Sequence, residues 1–144
     1  MKIVSMLAAL PFALILGKGA SAAQALFECP RSIPEISVKL TAPGPEWKTF
    51  VSSPLYLSSA APSDGPPERL GVLREDKYTQ TKTNWTRRYS LKGEYPEGKW
   101  LRCDYGVLGE ASLAKRLPDE IQECSVTGKK GSHAGETQIE VRCL

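Results

Sequence analysis

The chain lacks the residues from which most metal sites and many enzyme sites are built. Histidine occurs once in 144 residues, at His133, and no two cysteines have C-x-x-C spacing. A structural zinc site needs several cysteine or histidine ligands, and a serine hydrolase needs a histidine base beside its serine. Glycine-rich phosphate loops are absent as well. The sequence therefore predicts a protein that is not an enzyme and that uses no metal or cofactor. A hydrolase built on two of the 16 carboxylates is the remaining catalytic alternative.

Long apolar runs are missing too. The longest, residues 3–16, covers about 14 positions, whereas a membrane-spanning helix needs roughly 20. It follows a basic start and precedes small residues, which is typical of a cleaved signal peptide. We predict a signal peptide over residues 1–25, cleaved after Ala22 or Ala25, and a single domain over residues 26–144. The mature protein is then periplasmic or secreted and has no stable membrane anchor.

Neither sign of charge dominates the mature chain. Removal of the signal takes away two lysines, so 17 basic residues remain against 16 acidic ones. A chain so close to neutrality does not bind nucleic acid through bulk charge. Nucleic acid is therefore not an expected partner.

Four cysteines follow the signal, and an exported protein meets an oxidising compartment where such residues pair. Across an antiparallel hairpin, a Cys124–Cys143 disulfide would place Val126 opposite Val141, with both valines on the cysteine face. That agreement predicts Cys124–Cys143 and, by elimination, Cys29–Cys103. Lipidation of Cys29 is rejected because the preceding residue is a glutamate and because an odd number of cysteines would remain.

Alternating apolar and polar residues predict short strands separated by turns. The fold class is mainly β, a single small antiparallel sheet or sandwich domain with two disulfides. Leu101, Cys103, Tyr105 and Val107 should point into the core. Residues 111–117 fit either a strand or a short helix, and we favour a strand. The other predicted strands lie at residues 36–40, 54–57, 83–91, 99–107, 121–127 and 137–143, with loops at 58–67 and 128–135.

The predicted loop 128–135 is the first candidate binding surface. It carries Lys129, Lys130, Ser132 and His133 between glycines and lies close to a predicted disulfide. A protruding cationic loop of this kind could enter the acidic cleft of an enzyme. The alternative is an ordinary solvated hairpin tip.

The second candidate surface combines Trp100, Arg102 and Arg88. If their strands are neighbours, the three side chains share one outer face, and an exposed tryptophan beside arginine is typical of a binding hot spot. Cation–π packing on an ordinary sheet surface is the alternative.

The chain resembles a family of small exported Gram-negative bacterial proteins of unknown function that carry four cysteines. The matching motifs are Cys29-Pro30-x-x-Ile33, Trp100-x-x-Cys103-x-Tyr105, Cys124 and Val141-x-Cys143. The resemblance implies a cell-envelope protein and carries no catalytic residues. Because some members occur near secretion-system genes, it favours a non-enzymatic binding protein, such as an inhibitor or immunity partner of an envelope enzyme. A structural or accessory subunit of an envelope assembly is the alternative function.

Overall fold

The computed structural model describes residues 24–144. The predicted signal peptide lies outside these residues, apart from its last two positions. Within the described part of the chain, no helix is long and apolar enough to cross a bilayer. The strands are β1 (Ala25–Phe27), β2 (Ser32–Ile33), β3 (Leu55–Asp64), β4 (Lys77–Gln80), β5 (Asn84–Ser90), β6 (Lys99–Tyr105), β7 (Ala111–Arg116), β8 (Glu123–Lys130) and β9 (Thr137–Cys143).

These strands form two antiparallel sheets. The five-stranded sheet has the order β1-β9-β8-β5-β4, and the four-stranded sheet has the order β2-β3-β6-β7. The mainly β class is therefore confirmed, in its two-sheet form. The structure contains the disulfides Cys29–Cys103 and Cys124–Cys143, which is the predicted pairing. Cys124 faces Cys143 across the β8–β9 hairpin, in the register that places Val126 opposite Val141.

The core lies between the sheets and is filled by the apolar face of each. From β6, Leu101, Cys103 and Tyr105 are buried, as the alternation predicts, and Tyr89 of β5 is buried opposite them. Lys99 is also buried, but its ammonium donates hydrogen bonds to the carbonyls of Asp119 and Ile121, at 2.8 and 2.6 Å. A buried cation is tolerated when its donors are satisfied.

The prediction of a loop over residues 58–67 is wrong, because most of these residues belong to β3. The turn-forming residues of this stretch are compatible with a strand since β3 is paired fully on one side only. The amide of Gly65 donates to the carbonyl of Gly98, which precedes β6. After the bulge that follows Leu57, the odd-numbered residues of β3 therefore bond β6, and Pro62 faces the opposite edge. No strand of residues 24–144 pairs with Pro62 at that edge. The missing N–H of proline therefore costs no ladder hydrogen bond.

The strand predicted over residues 36–40 is also wrong. Residues Glu35–Ser37 form one turn of 3-10 helix, and the chain continues without regular structure to residue 53. Ile36 is 88% exposed and Leu40 is 53% exposed. The five-residue alternation has no partner strand to pair with, and alternation without pairing does not make a sheet.

The strand favoured over residues 111–117 is confirmed as β7, which pairs with β6. Val107 does not continue the buried face of β6, because β6 ends at Tyr105 and Gly106 turns the chain with φ of +91°. Val107 is consequently 70% exposed. This turn between β6 and β7 forms part of the surface described next.

Candidate functional site

The sequence-predicted binding residues occupy three separate places. Trp100 and Arg102 lie on β6 of the four-stranded sheet, whereas Arg88 lies on β5 of the five-stranded sheet. The predicted common face does not form, since β5 and β6 are not neighbours. Trp100 donates its indole N–H to the carbonyl of Glu97 at 2.9 Å, and Arg102 pairs with Asp104 at 3.0 Å. The Trp100 indole is thus hydrogen-bonded within the chain, and Arg102 is ion-paired, although its buried Nε has no aligned hydrogen-bond acceptor.

The loop that carries Ser132 and His133 is shorter than predicted. β8 extends to Lys130, so Lys129 and Lys130 are strand residues, and the connection to β9 is residues 131–136. Lys129 and Lys130 are exposed at the end of β8. The connecting loop is held in a fixed geometry by hydrogen bonds to Glu136.

Glu136 fixes the loop from within. Its side chain is only 3% exposed, and its Oε2 accepts hydrogen bonds from the amides of Ser132 (2.8 Å) and His133 (3.0 Å). The Ser132 hydroxyl (3.1 Å) and His133 Nδ1 (2.9 Å) approach the same oxygen. Arg31 donates to Oε1 at 3.1 Å. One carboxylate therefore holds both loop residues and a distant arginine.

These bonds favour the ionised carboxylate over the acid. The hydrogen bond from the His133 side chain, followed by that from its backbone amide, lowers the pKa of Glu136 from 4.5 to about 2, with Arg31 and Ser132 contributing. The carboxylate is a negative anchor throughout the physiological pH range. The local sequence does not identify Glu136 as an anchor. Its partner Arg31 lies 105 positions away, and only the fold brings the two together.

Tyr56 supports His133 on its ring face. The two rings are stacked with centroids 4.0 Å apart and an interplanar angle of 8°. Beside them lies a cleft of about 380 Å³, lined by Ser53, Pro54, Leu55, Tyr56, Gly106, Val107, Glu110, His133 and Ala134. The imidazole is held on one side by Glu136 and covered by Tyr56, so its orientation is defined.

An apolar tip stands next to this stack. Leu108 is 88% exposed and Val107 is 70% exposed, both in the turn that joins β6 to β7. The Glu110 carboxylate accepts the amide of Leu108 at 3.0 Å, which fixes the turn. Gly135, with φ of +74°, lies against Val107: a Cβ at Gly135 would be 3.1 Å from the valine Cγ2. We call the tip, the Tyr56–His133 stack and loop 131–136 together the loop end.

The geometry of the loop end suits binding better than catalysis. Ser132 Oγ and Glu136 Oε2 both approach Nδ1 of His133, at 3.3 and 2.9 Å. In a hydrolase triad the nucleophile and the orienting carboxylate lie at opposite ring nitrogens. No cluster of three metal-ligating side chains occurs among residues 24–144. An apolar tip on fixed loops is a typical anchor for a protein partner, because little freedom is lost on binding.

A second exposed apolar region lies in the irregular segment 34–51. Trp47 is 62% exposed and Phe50 is 84% exposed there, in addition to Ile36 and Leu40. This segment includes the 3-10 turn at Glu35–Ser37 and has no strand.

The chain matches a known protein family. The sequence model of a family described as "Type VI secretion system Tli immunity protein" matches residues 52–144, which is more than half of the chain. Neither the curated proteins nor the solved structures contain a match to this chain. All residues of the loop end lie within the matched range, whereas segment 34–51, Arg31 and Cys29 lie before it.

Proposed function

The chain belongs to the family of type VI secretion system Tli immunity proteins, and we propose that it acts in the periplasm, where it neutralises an effector that attacks the cell envelope. Neutralisation takes place by stoichiometric binding and not by catalysis. The family assignment favours this function over the alternative of a structural or accessory subunit. The main observation in support of a binding surface is the exposed Val107–Leu108 tip, which stands on an otherwise fixed loop end.

Three features support the loop end as the contact surface. It belongs to the family-matched range, its loops are held by Glu136 and Glu110, and its tip exposes two neighbouring apolar side chains. Ser132 and His133, which are candidate binding residues from the sequence, flank the tip. Lys129 and Lys130 precede the loop and could contact the rim of the same interface. Trp100, Arg102 and Arg88 lie outside the loop end.

The periplasmic location rests on two arguments. Both disulfides connect residues that would remain reduced in the cytoplasm. The predicted signal peptide over residues 1–25, which is a proposal, would deliver the chain to the oxidising side of the inner membrane. The protein partner is then an effector that reaches the same compartment.

The test is protection from a periplasmic effector. Each type VI effector encoded in the source genome is exported to the periplasm of a host cell together with the protein, and survival is counted. We expect one effector to be neutralised.

Leu108→Asp should weaken the binding of that effector about 30-fold or more, the scale of a hot-spot residue. The matched control is Ile36→Asp, because Ile36 is also 88% exposed but lies outside the matched residues. Lys129→Glu/Lys130→Glu tests the rim.

Two further arms test compartment and stoichiometry. A leaderless protein should fail to protect, and titration of purified effector should reach full inhibition at equal molar amounts. Protection by the leaderless protein would refute the periplasmic assignment. Full inhibition at a small fraction of the effector concentration would instead indicate an enzyme. Equal loss of binding in Leu108→Asp and Ile36→Asp would remove the loop end as the contact surface.

A further inference from the structure

The five-stranded sheet has a notch in its β1 edge. β1 pairs with β9 only at Val141–Cys143. The first half of β9, from Thr137 to Glu140, pairs with β8 on one side. Within residues 24–144 no strand pairs with its other side. Half of this strand therefore has an open edge although it is not the last strand of its sheet.

The register identifies which backbone groups face the notch. Glu123 and Leu144 exchange hydrogen bonds through both amides, so they form a hydrogen-bonded pair of the antiparallel ladder. Because such pairs alternate, Gln138 and Glu140 also bond β8. Thr137 and Ile139 then direct their N–H and C=O groups the other way, into the notch.

Two features of the N-terminal segment keep the notch open. After β1, Cys29 is tied to Cys103 of the other sheet, which draws the chain away from β9. Pro30 has no N–H with which to continue the ladder. Beyond it, the carbonyl of Arg31 accepts the amide of Leu57 on β3. The space left behind is a cavity of about 310 Å³, lined by Cys29, Arg31, Leu57, Glu136, Thr137, Gln138 and Ile139.

The accessible charge at this cavity is positive. The Glu136 side chain is 3% exposed, and its two oxygens accept hydrogen bonds from Arg31 and the loop, whereas the Arg31 side chain is 73% exposed. Arg31 donates one hydrogen bond to Glu136, and a guanidinium has five N–H donors. The remaining donors suit a carboxylate, which arginine binds in a planar, bidentate way.

We propose that the notch is a peptide-binding site, in which an extended segment of a partner protein pairs with Thr137 and Ile139 and places a carboxylate on Arg31. The segment runs antiparallel to β9, as β1 does, so its C-terminal end lies beside Thr137 and Arg31. This is strand addition at a sheet edge, where backbone bonds give affinity and a side-chain contact gives specificity. The site uses residues other than the Leu108 tip and stands independently of it.

Blocked tetrapeptides of alternating valine and threonine, ending in glutamate, are the probe. They are titrated into the oxidised protein while the amide resonances of Thr137 and Ile139 are followed by NMR, and a matched peptide ending in lysine is the comparison. We expect shifts at both amides with the glutamate peptide. The lysine peptide should bind at least about tenfold more weakly, because it loses a charge-assisted hydrogen bond.

Two pairs of variants separate the contributions. Thr137→Pro removes the N–H that faces the notch and keeps the pairing with β8, so binding should fall about fivefold; Thr137→Val retains the N–H and should bind normally. Arg31→Gln should abolish the preference for glutamate over lysine, whereas Arg69→Gln, at a similarly exposed arginine (66%), should preserve it. The proposal is overturned if the edge amides do not respond, or if Thr137→Pro and Arg31→Gln bind both peptides as the unchanged protein does.

Discussion

At the scale of single residues, the Glu136 carboxylate makes a pH-dependent contribution to stability. Its pKa of about 2 in the folded chain lies below the ordinary value of 4.5, so ionised Glu136 favours the folded state. That stabilisation is complete above pH 4.5 and is lost as the pH falls toward 2. We predict that Glu136→Gln lowers the unfolding temperature at neutral pH. The difference from the unchanged protein should shrink in acid.

Thermal unfolding between pH 2 and pH 7 measures this difference directly. Glu94→Gln is the control, because Glu94 is exposed to solvent and its neutralisation should leave the unfolding temperature nearly constant. A gap between Glu136→Gln and the unchanged protein that stayed the same from pH 7 to pH 2 would contradict the assigned role of the carboxylate.

Gly128 is required by the tryptophan that covers it. A Cβ at position 128 would lie 2.2 Å from Cζ2 of Trp85, which is closer than any real contact allows. Gly128→Ala should therefore displace the indole and destabilise the fold by about 1–3 kcal/mol, the usual cost of overpacking. The measurement is chemical denaturation, followed by tryptophan emission.

The double variant identifies the cause. In a Trp85→Ala background the added methyl has room, so Gly128→Ala should become neutral or slightly stabilising, since glycine weakens a strand interior. An equal penalty in both backgrounds would mean that the indole is not the obstacle.

At the scale of elements, β1 depends on the position of signal cleavage. Ala25 pairs with Cys143. Because hydrogen-bonded pairs with β8 alternate along β9, the N–H and C=O groups of residues 141 and 143 point toward β1. Cleavage after Ala22 preserves this pair, whereas cleavage after Ala25 removes it. We predict that a chain beginning at Ala23 is more stable than one beginning at Leu26 by about 1–2 kcal/mol, the value of one or two backbone hydrogen bonds.

Denaturation of the two chains tests this difference, with a chain beginning at Gln24 as the control that retains β1. The mature N-terminus of the exported protein, determined by mass spectrometry, should then be Ala23. Equal midpoints for the chains beginning at Ala23 and Leu26 would show that the Ala25–Cys143 pair contributes nothing.

The elements that the sequence predicts well are those specified by local pattern. The β8–β9 hairpin follows from alternation and from two cysteines that must meet, and β6 follows from its buried alternate residues. The predicted strand at residues 54–57 identified only the start of β3. Its continuation to Asp64 could not be recognised, because Pro62 is tolerated only through the open edge beside it, and that edge depends on where β2 begins. The strand predicted over residues 36–40 is wrong because local alternation alone does not show whether a partner strand is available. None pairs with this segment among residues 24–144.

At the scale of the whole molecule, the order of the sheets decides which surfaces exist. Arg88 and Trp100 could share a face only if their strands were neighbours, but these strands belong to different sheets. Likewise, the loop end combines residues near positions 56, 108 and 133, which come together only through the pairing of β3 with β6 and the packing of the two sheets. The candidate residues Ser132 and His133 were found from the sequence, whereas Leu108 and Glu136 required the fold.

The disulfides couple the fold of the whole molecule to its compartment. On the chain-entropy model, a bond across 74 residues stabilises by about 4.5 kcal/mol and one across 19 residues by about 3.3 kcal/mol. Both are large against the roughly 5–15 kcal/mol that holds a typical domain together. We predict that the leaderless chain stays largely unfolded in a reducing cytoplasm and folds in an oxidising one.

Soluble yield and amide NMR spectra from the two kinds of cytoplasm measure this dependence. Cys29→Ala/Cys103→Ala should destabilise more than Cys124→Ala/Cys143→Ala, because the first pair closes the longer loop and also holds the segment that connects β1 to β2 across the sheets. If the reduced chain gave the same spectrum and the same unfolding midpoint as the oxidised one, the disulfides would be dispensable. The protein could then also function in the cytoplasm, while the family assignment would stand.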